Sequence, residues 1–161
     1  MKSIIISIGD EVLIGQVVNT NAAWLGRELL AIGIPAARIV TVPDSEKDIL
    51  KEFKNAFKEY DVIVVTGGLG PTDDDLTREV VADHLGRPMA EDPGIIDVIA
   101  QRFASRGWKM PAVNRRQAMV PEGAVVLPNP NGTAPGLWIE HDGAVLALLP
   151  GPPREMKPMM K

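Results

Sequence analysis

The 161-residue chain predicts an α/β fold of three layers, with helices on both faces of an open, mostly parallel, Rossmann-like sheet. Three observations predict it. Residues 2–8, 36–42 and 61–66 are short runs rich in Ile and Val on both alternating sets, as strands buried on each face require. Segments with helical spacing separate them. Each run also ends in a turn that carries glycine or an acid, and open parallel sheets hold their ligand crevice at those carboxyl ends.

Residues 2–8 form the first strand and run into Gly9-Asp10-Glu11. Over residues 21–32, Leu25, Leu29 and Ile32 recur at i, i+4 and i+7, and Gly33 sits where a helix C′ glycine belongs. The second strand, 36–42, ends at Pro43-Asp44. Ser45-Glu46-Lys47-Asp48 resembles a capping box, and Ile49, Phe53, Ala56 and Phe57 continue a helix from it. After the third strand, Thr72 with Asp75 three residues on reads as the capping start of a helix. Leu76, Val80, Val81 and Leu85 mark its face, and Gly86 stops it.

Asp92-Pro93 opens another helix, cap then proline, with Ile99 and Phe103 on its face as far as Gly107. Residues 108–121 have weak periodicity and read as a loop or a short helix holding Asn114, Arg115, Arg116 and Gln117. Strands follow at 125–127 and 136–140. Asp142-Gly143 is a turn signal that pairs 137–139 with 144–149 as a hairpin. The last residues begin a helix, so residues 1–161 are expected to be one domain, cut short in that helix and belonging to something longer.

Composition narrows the function. A net charge of −4, with scattered lysines and arginines, gives no footprint for nucleic acid or an anionic membrane. The absence of cysteine excludes disulfides, thiol catalysis and thiolate metal sites. The first apolar run is too short for a signal peptide, so a cytoplasmic location is expected. No serine lies in a Gly-x-Ser-x-Gly elbow.

The chemistry concentrates in Thr66-Gly67-Gly68-Leu69-Gly70-Pro71-Thr72-Asp73-Asp74-Asp75-Leu76-Thr77. Strand, glycine loop and helix together make a phosphate-site geometry, because glycines admit close backbone approach and helical amides point into the same space. A loop that cradles phosphate by charge carries a lysine, whereas this one carries three aspartates. Carboxylates tolerate a diphosphate only with a divalent cation or arginines between them, which points to a metal-dependent site. The plainer account is that aspartates in a first helical turn complement the helix dipole, for roughly 0.3–1 kcal/mol each. Asp10, Asp44 and Asp75 all follow strand ends, and on that ground are expected to share one site.

These motifs closely resemble the TGGxGxxxxDxT signature of the molybdopterin-binding fold of MogA, MoaB, the central domain of MoeA and the amino-terminal domain of CinA. Gly9-Asp10-Glu11-Val12-Leu13, Asn129-Pro130-Asn131-Gly132-Thr133-Ala134-Pro135-Gly136 and Leu149-Pro150-Gly151-Pro152-Pro153-Arg154-Glu155-Met156 look most like CinA. The resemblance spans nearly the whole chain. It implies the three-layer fold and self-association as a dimer or trimer. Asp75 matches the DxT aspartate used with metal and nucleotide, and Asp44 matches the other functional aspartate. Gly67, Gly68 and Gly70 match the loop that meets phosphate, while Asn131, Gly132, Thr133 and Ala134 with Gly151 and Pro152 match loops that close on the ligand.

The resemblance to CinA further implies a divalent-cation-dependent pyrophosphatase acting on ADP-ribose or a related nucleotide. Asp44, Asp75 and Asp74 are then the catalytic residues, with Asp44 and Asp75 holding Mg, Mn or Co. Gly9, Asp10, Glu11, Thr66, Thr77 and Arg154 join the loops above in binding substrate, and Arg115, Arg116 or Arg154 steady the phosphate charge. Two alternatives use the same residues: molybdopterin binding or adenylyl transfer in molybdenum-cofactor synthesis, and a nucleotide- or pterin-binding module without catalysis. The deamidase domain that CinA proteins commonly carry is not expected within these residues.

Overall fold

Ile4, Ile5 and Ile6 are all buried although they point to alternate faces, so the first strand must run through the middle of a covered sheet. The computed structural model, which describes residues 1–160, places it there. The strands are β1 (Ser3–Ile8), β2 (Ala36–Val42), β3 (Val62–Thr66), β4 (Met89–Glu91), β5 (Met119–Pro121), β6 (Val125–Leu127), β7 (Gly136–His141) and β8 (Ala144–Leu149). Six of them form one sheet in the order β2-β1-β3-β8-β7-β6. β2, β1, β3 and β8 run parallel, and the β7–β8 hairpin and β6 extend the sheet antiparallel. The expected hairpin closes at Asp142-Gly143, where both residues take positive φ.

Helices α1 (Asp10–Leu13), α2 (Thr20–Ala31), α3 (Glu46–Glu59), α4 (Thr77–His84), α5 (Pro93–Ala104) and α6 (Pro153–Met160) complete the layers. Leu25, Leu29 and Met156, from α2 and α6, pack on Ile5, Val64 and Leu149. On the opposite face Ile49, Phe53, Val80 and Val81, from α3 and α4, pack on Ile4, Ile6, Ile63 and Val65. Asp92 caps α5 as expected, accepting from Gly94 N at 2.8 Å and Ile95 N at 3.2 Å. No helix among the described residues is long and apolar enough to cross a membrane.

Two expectations are corrected, and a third segment resolves as the short helix allowed for it. Helix α4 starts at Thr77 with Leu76 at its N-cap, so Thr72 does not cap it. Thr72 N and Oγ1 instead both donate to Asp75 Oδ2, at 3.0 and 2.6 Å, and close a separate turn. Asp73, Asp74 and Asp75 therefore stand before the helix, and the dipole does not account for them. Ser45 occupies the N-cap of α3 but its side chain makes no cap bond. Residues 112–118 form a 3-10 helix, flanked by a two-stranded sheet of β4 and β5 that the sequence reading does not contain.

Candidate functional site

Three features of the chain meet at the carboxyl edge of the sheet: the turn after β1, the glycine loop after β3 and the proline turn after β8. Between them lies a cleft of about 590 Å³. Of the residues expected to bind or act, Gly9, Glu11, Asp44, Thr66, Gly67, Gly68, Gly70, Asp74, Asp75, Thr133, Ala134, Gly151 and Pro152 line it. Its lining, among the described residues, holds five carboxylates, Glu11, Asp44, Asp74, Asp75 and Glu155, and no lysine, arginine or histidine.

The glycine loop owes its shape to close approach. Gly67 and Gly68 have φ of 106° and 69°, which side chains rarely adopt, and a Cβ on Gly68 would overlap Thr77 Oγ1. A Cβ on Gly67 would overlap the Ile8 carbonyl. Thr66 Oγ1 donates to Pro150 O at 3.0 Å and Gly67 N to Leu149 O at 3.0 Å, tying the loop to β8. The Gly68 and Gly70 amides make no hydrogen bond among the described residues, so they can receive an anion.

The acids are held by backbone. Asp10 N donates to Asp44 Oδ2 at 3.0 Å, and Asp44 N donates to Asp10 Oδ1 at 3.1 Å. Burial pushes the Asp44 carboxyl above its ordinary value, against the hydrogen bond from the Asp10 amide, and the negative charges of Asp10, Glu11 and Asp75 add to the rise. Asp44 and Asp75, which follow different strands, both line the cleft, and the Asp75 charge reaches Asp44. Among the described residues no three His, Cys, Asp or Glu side chains lie close enough to cage a metal. Asp44 and Asp75 can share a hard cation only if guest oxygens and water complete its coordination, the manner of Mg²⁺.

Several expected binding residues lie off the cleft. Thr77 is fully buried and donates from Oγ1 to Gly67 O at 3.0 Å, so it shapes the loop from behind. The Asp10 carboxylate is spent on the Asp44 amide. Asn131 donates to Arg154 O at 2.7 Å, and Gly132 backs onto Glu155. The Arg154 side chain is 79% exposed, with its Nε 4.0 Å from Glu155 Oε1. Arg115 pairs with Glu91, while Arg116 holds Glu79 at 2.9 Å and the carbonyls of Thr72 and Asp75. Arg115 and Arg116 are thus engaged by structural partners and do not line the cleft.

Other lining residues had no role in the sequence reading. Asn21 donates to Gly151 O at 2.6 Å and Thr66 Oγ1 at 3.1 Å, stitching α2 to two strand ends. Asn19 caps α2 by accepting from Ala22 N, a role its place before the first periodic residue could have suggested. Gln117 and Glu155, both buried, reach the cleft from the 3-10 helix and from α6. Arg78, behind the loop, is 1% exposed and donates to Leu69 O and Arg116 O. Burial lowers its pKa, with the nearby charges of Glu79 and Asp75 acting the other way.

The comparisons with known proteins agree with this geometry. The family model described as a probable molybdopterin binding domain matches residues 4–161. A candidate competence-damage inducible protein of Moorella thermoacetica is 50% identical over 160 residues, covering 99% of this chain and 39% of its own length. The chain thus spans about two fifths of the length of most curated relatives it matches, and 58% of one from Pyrobaculum calidifontis. A crystal structure of the protein CinA, of unknown function, from Thermoplasma acidophilum has a TM-score of 0.90 at 34% identity, over 99% of this chain and 93% of that one. MoaB of Thermus thermophilus, a molybdopterin biosynthesis enzyme, shares the fold alone, with a TM-score of 0.64 at 21% identity over 99% and 86%. The chain belongs to the molybdopterin-binding domain family, in the CinA-type branch whose fold is that of MoaB and MogA.

Proposed function

We propose that the cleft binds a phosphorylated pterin or nucleotide, its phosphates seated on the glycine loop and bridged to Asp44 and Asp75 by a divalent cation. One observation carries this reading: among the described residues, five carboxylates and no basic side chain line a cleft that also offers free loop amides. A dianionic guest beside Asp44 and Asp75 is repelled unless a cation intervenes. Mg, Mn or Co suits a donor set made only of oxygen. When bound, such an ion polarises phosphoryl oxygens and acidifies a bound water. The chain's own residues do the rest: the Asp10 amide fixes the Asp44 carboxylate, Thr72 fixes Asp75, and Gly68 and Gly70 offer amides to phosphate oxygens.

Calorimetry with inorganic pyrophosphate, with and without Mg²⁺ or Mn²⁺, tests the reading. Cation-dependent binding that Asp75→Asn removes supports it. Binding that is equally tight in EDTA overturns it.

A second reading is hydrolysis of the diphosphate of ADP-ribose or a related nucleotide. The observation favouring it is that Asp44 and Asp75 line one cleft, where a cation held by both could activate water. Incubation with ADP-ribose and Mg, Mn or Co should release AMP. No AMP with any of the three leaves binding as the whole function.

A further inference from the structure

Arg78 is 1% exposed, and a buried guanidinium is costly unless a counter-charge meets it. None meets it directly. Nη1 donates to Arg116 O at 3.0 Å and Nη2 to Leu69 O at 3.1 Å, while Nε has no partner. Among the described residues no carboxylate forms a salt bridge with it. The two acids whose charges act on it are committed elsewhere: Glu79 binds Arg116 at 2.9 Å, and Asp75 accepts from Thr72 at 2.6 Å. A permanent positive charge is therefore held beneath the glycine loop, bonded to two backbone carbonyls and to no acid.

The Leu69 carbonyl shares a peptide unit with the Gly70 amide. Among the described residues no peptide bond is cis, and in a trans unit the C=O and N–H point in opposite directions. With Leu69 O turned inward onto a buried side chain, Gly70 N–H is turned outward, and both residues line the cleft. The neighbouring unit is built the same way: Thr77 Oγ1 holds Gly67 O from behind at 3.0 Å, which turns Gly68 N–H out. Consecutive side chains at the start of α4 thus orient the two free amides of the loop. They differ in charge. Thr77 is neutral, whereas the guanidinium polarises the peptide it holds and strengthens its N–H as a donor.

We infer that Arg78 is a positioning residue for the guest's phosphate: it aims and polarises the Gly70 amide through the Leu69–Gly70 peptide, and supplies from beneath the loop the fixed positive charge that the lining lacks. This rests on the reading of the cleft as a phosphate site. Asp44 and Asp75 are left to the cation, and Arg78 acts on the phosphate through the loop. Held inside the protein, its charge is screened little by salt and needs no rearrangement when the guest arrives. The guest is in turn the counter-ion that the guanidinium lacks, so phosphate binding offsets the cost of burying Arg78.

Isothermal titration with pyrophosphate and Mg²⁺ compares the parent with Arg78→Met, Arg78→Lys and Thr77→Val, all at pH 6 so that a buried lysine keeps its proton. Arg78→Met should weaken binding by roughly ten-fold or more, the size of a charge-assisted hydrogen bond. Arg78→Lys restores a positive donor and should recover most of that loss. Thr77→Val also unties a loop carbonyl but removes no charge, so it should lose clearly less than Arg78→Met. Equal losses in Arg78→Met and Thr77→Val mean that tethering alone is at work and overturn the inference, as does parent-like binding by Arg78→Met or no recovery in Arg78→Lys. A second readout needs no variant. In the ¹⁵N-labelled parent the Gly70 amide proton should move downfield as pyrophosphate and Mg²⁺ saturate the chain, and a Gly70 signal that stays still while binding proceeds overturns this inference alone. Failure of the parent to bind pyrophosphate at all overturns the phosphate-site reading and this inference with it.

Discussion

Asp10 and Asp44 hold each other by reciprocal bonds, each backbone amide donating to the other's carboxylate at 3.0 and 3.1 Å. Two acids from different strand ends are thereby locked side by side, with charge that nothing basic in the cleft offsets.

The first prediction concerns pH. Burial and neighbouring acids raise the Asp44 pKa above its ordinary value of 3.8, so the folded chain holds this proton more firmly than the unfolded chain does. In the absence of cation, the contribution of Asp44 to stability falls as pH climbs from about 3.8 through the raised value. Asp44→Asn, whose amide oxygen can still accept from Asp10 N, should be at least as stable as the parent at pH 7. Urea melts at pH 4 and pH 7 check this, and a variant clearly less stable than the parent at pH 7 contradicts it.

Cation and proton compete for the same oxygens. Added Mg²⁺ or Mn²⁺ together with pyrophosphate should raise Tm more at pH 7 than at pH 5, by mass action on the folded state. Asp44→Asn and Asp75→Asn should each abolish the shift. Differential scanning fluorimetry reads it directly.

The glycine loop predicts a third outcome. Gly68→Ala combines strained φ, roughly 1–2 kcal/mol, with overlap on Thr77 Oγ1, for a total loss of about 2–4 kcal/mol. Thr77→Val leaves the Gly67 carbonyl unpaired and should cost about 1–3 kcal/mol. Both are read from denaturant midpoints. Thr77→Ser, which keeps the hydroxyl, should recover most of the second loss.

Arg78 is the fourth. Arg78→Met fills similar volume but leaves the Leu69 carbonyl without its donor, about 1–3 kcal/mol, and leaves the Arg116 carbonyl with only the Met119 N–H. Hydrogen exchange should quicken in the loop at residues 67–76 more than in β1. Uniform protection across both would show that the guanidinium does not anchor the loop.

The sheet was legible because Ile and Val runs on both alternating sets admit little but buried parallel strands, and their bounds fell within a residue or two of β1, β2 and β3. Asp142-Gly143 announced the hairpin through its turn chemistry. The pair β4 and β5 did not show, since three-residue strands carry no period to detect. Thr72 and Asp75 matched a cap by spacing, and only tertiary contact revealed that they bond to each other ahead of the helix. In the cleft, the residues that follow strand ends were readable from position. Arg116 was misassigned because charge alone cannot say that a guanidinium is already engaged by Glu79 and two carbonyls. Glu155 and Gln117 carry no spacing signal at all, and it is the packing of Met156 and Ala118 beside them that turns them inward.

The central strand β3 has β1 on one side and β8, some eighty residues later in the chain, on the other. The carbonyls of Leu149 and Pro150 that tether Gly67 and Thr66 arrive only with that late strand. Assembly of the pocket therefore coincides with completion of the fold. A partly folded chain, with its glycine turn untethered, lacks the finished cleft, so the shape of that turn depends on the docking of the late strand.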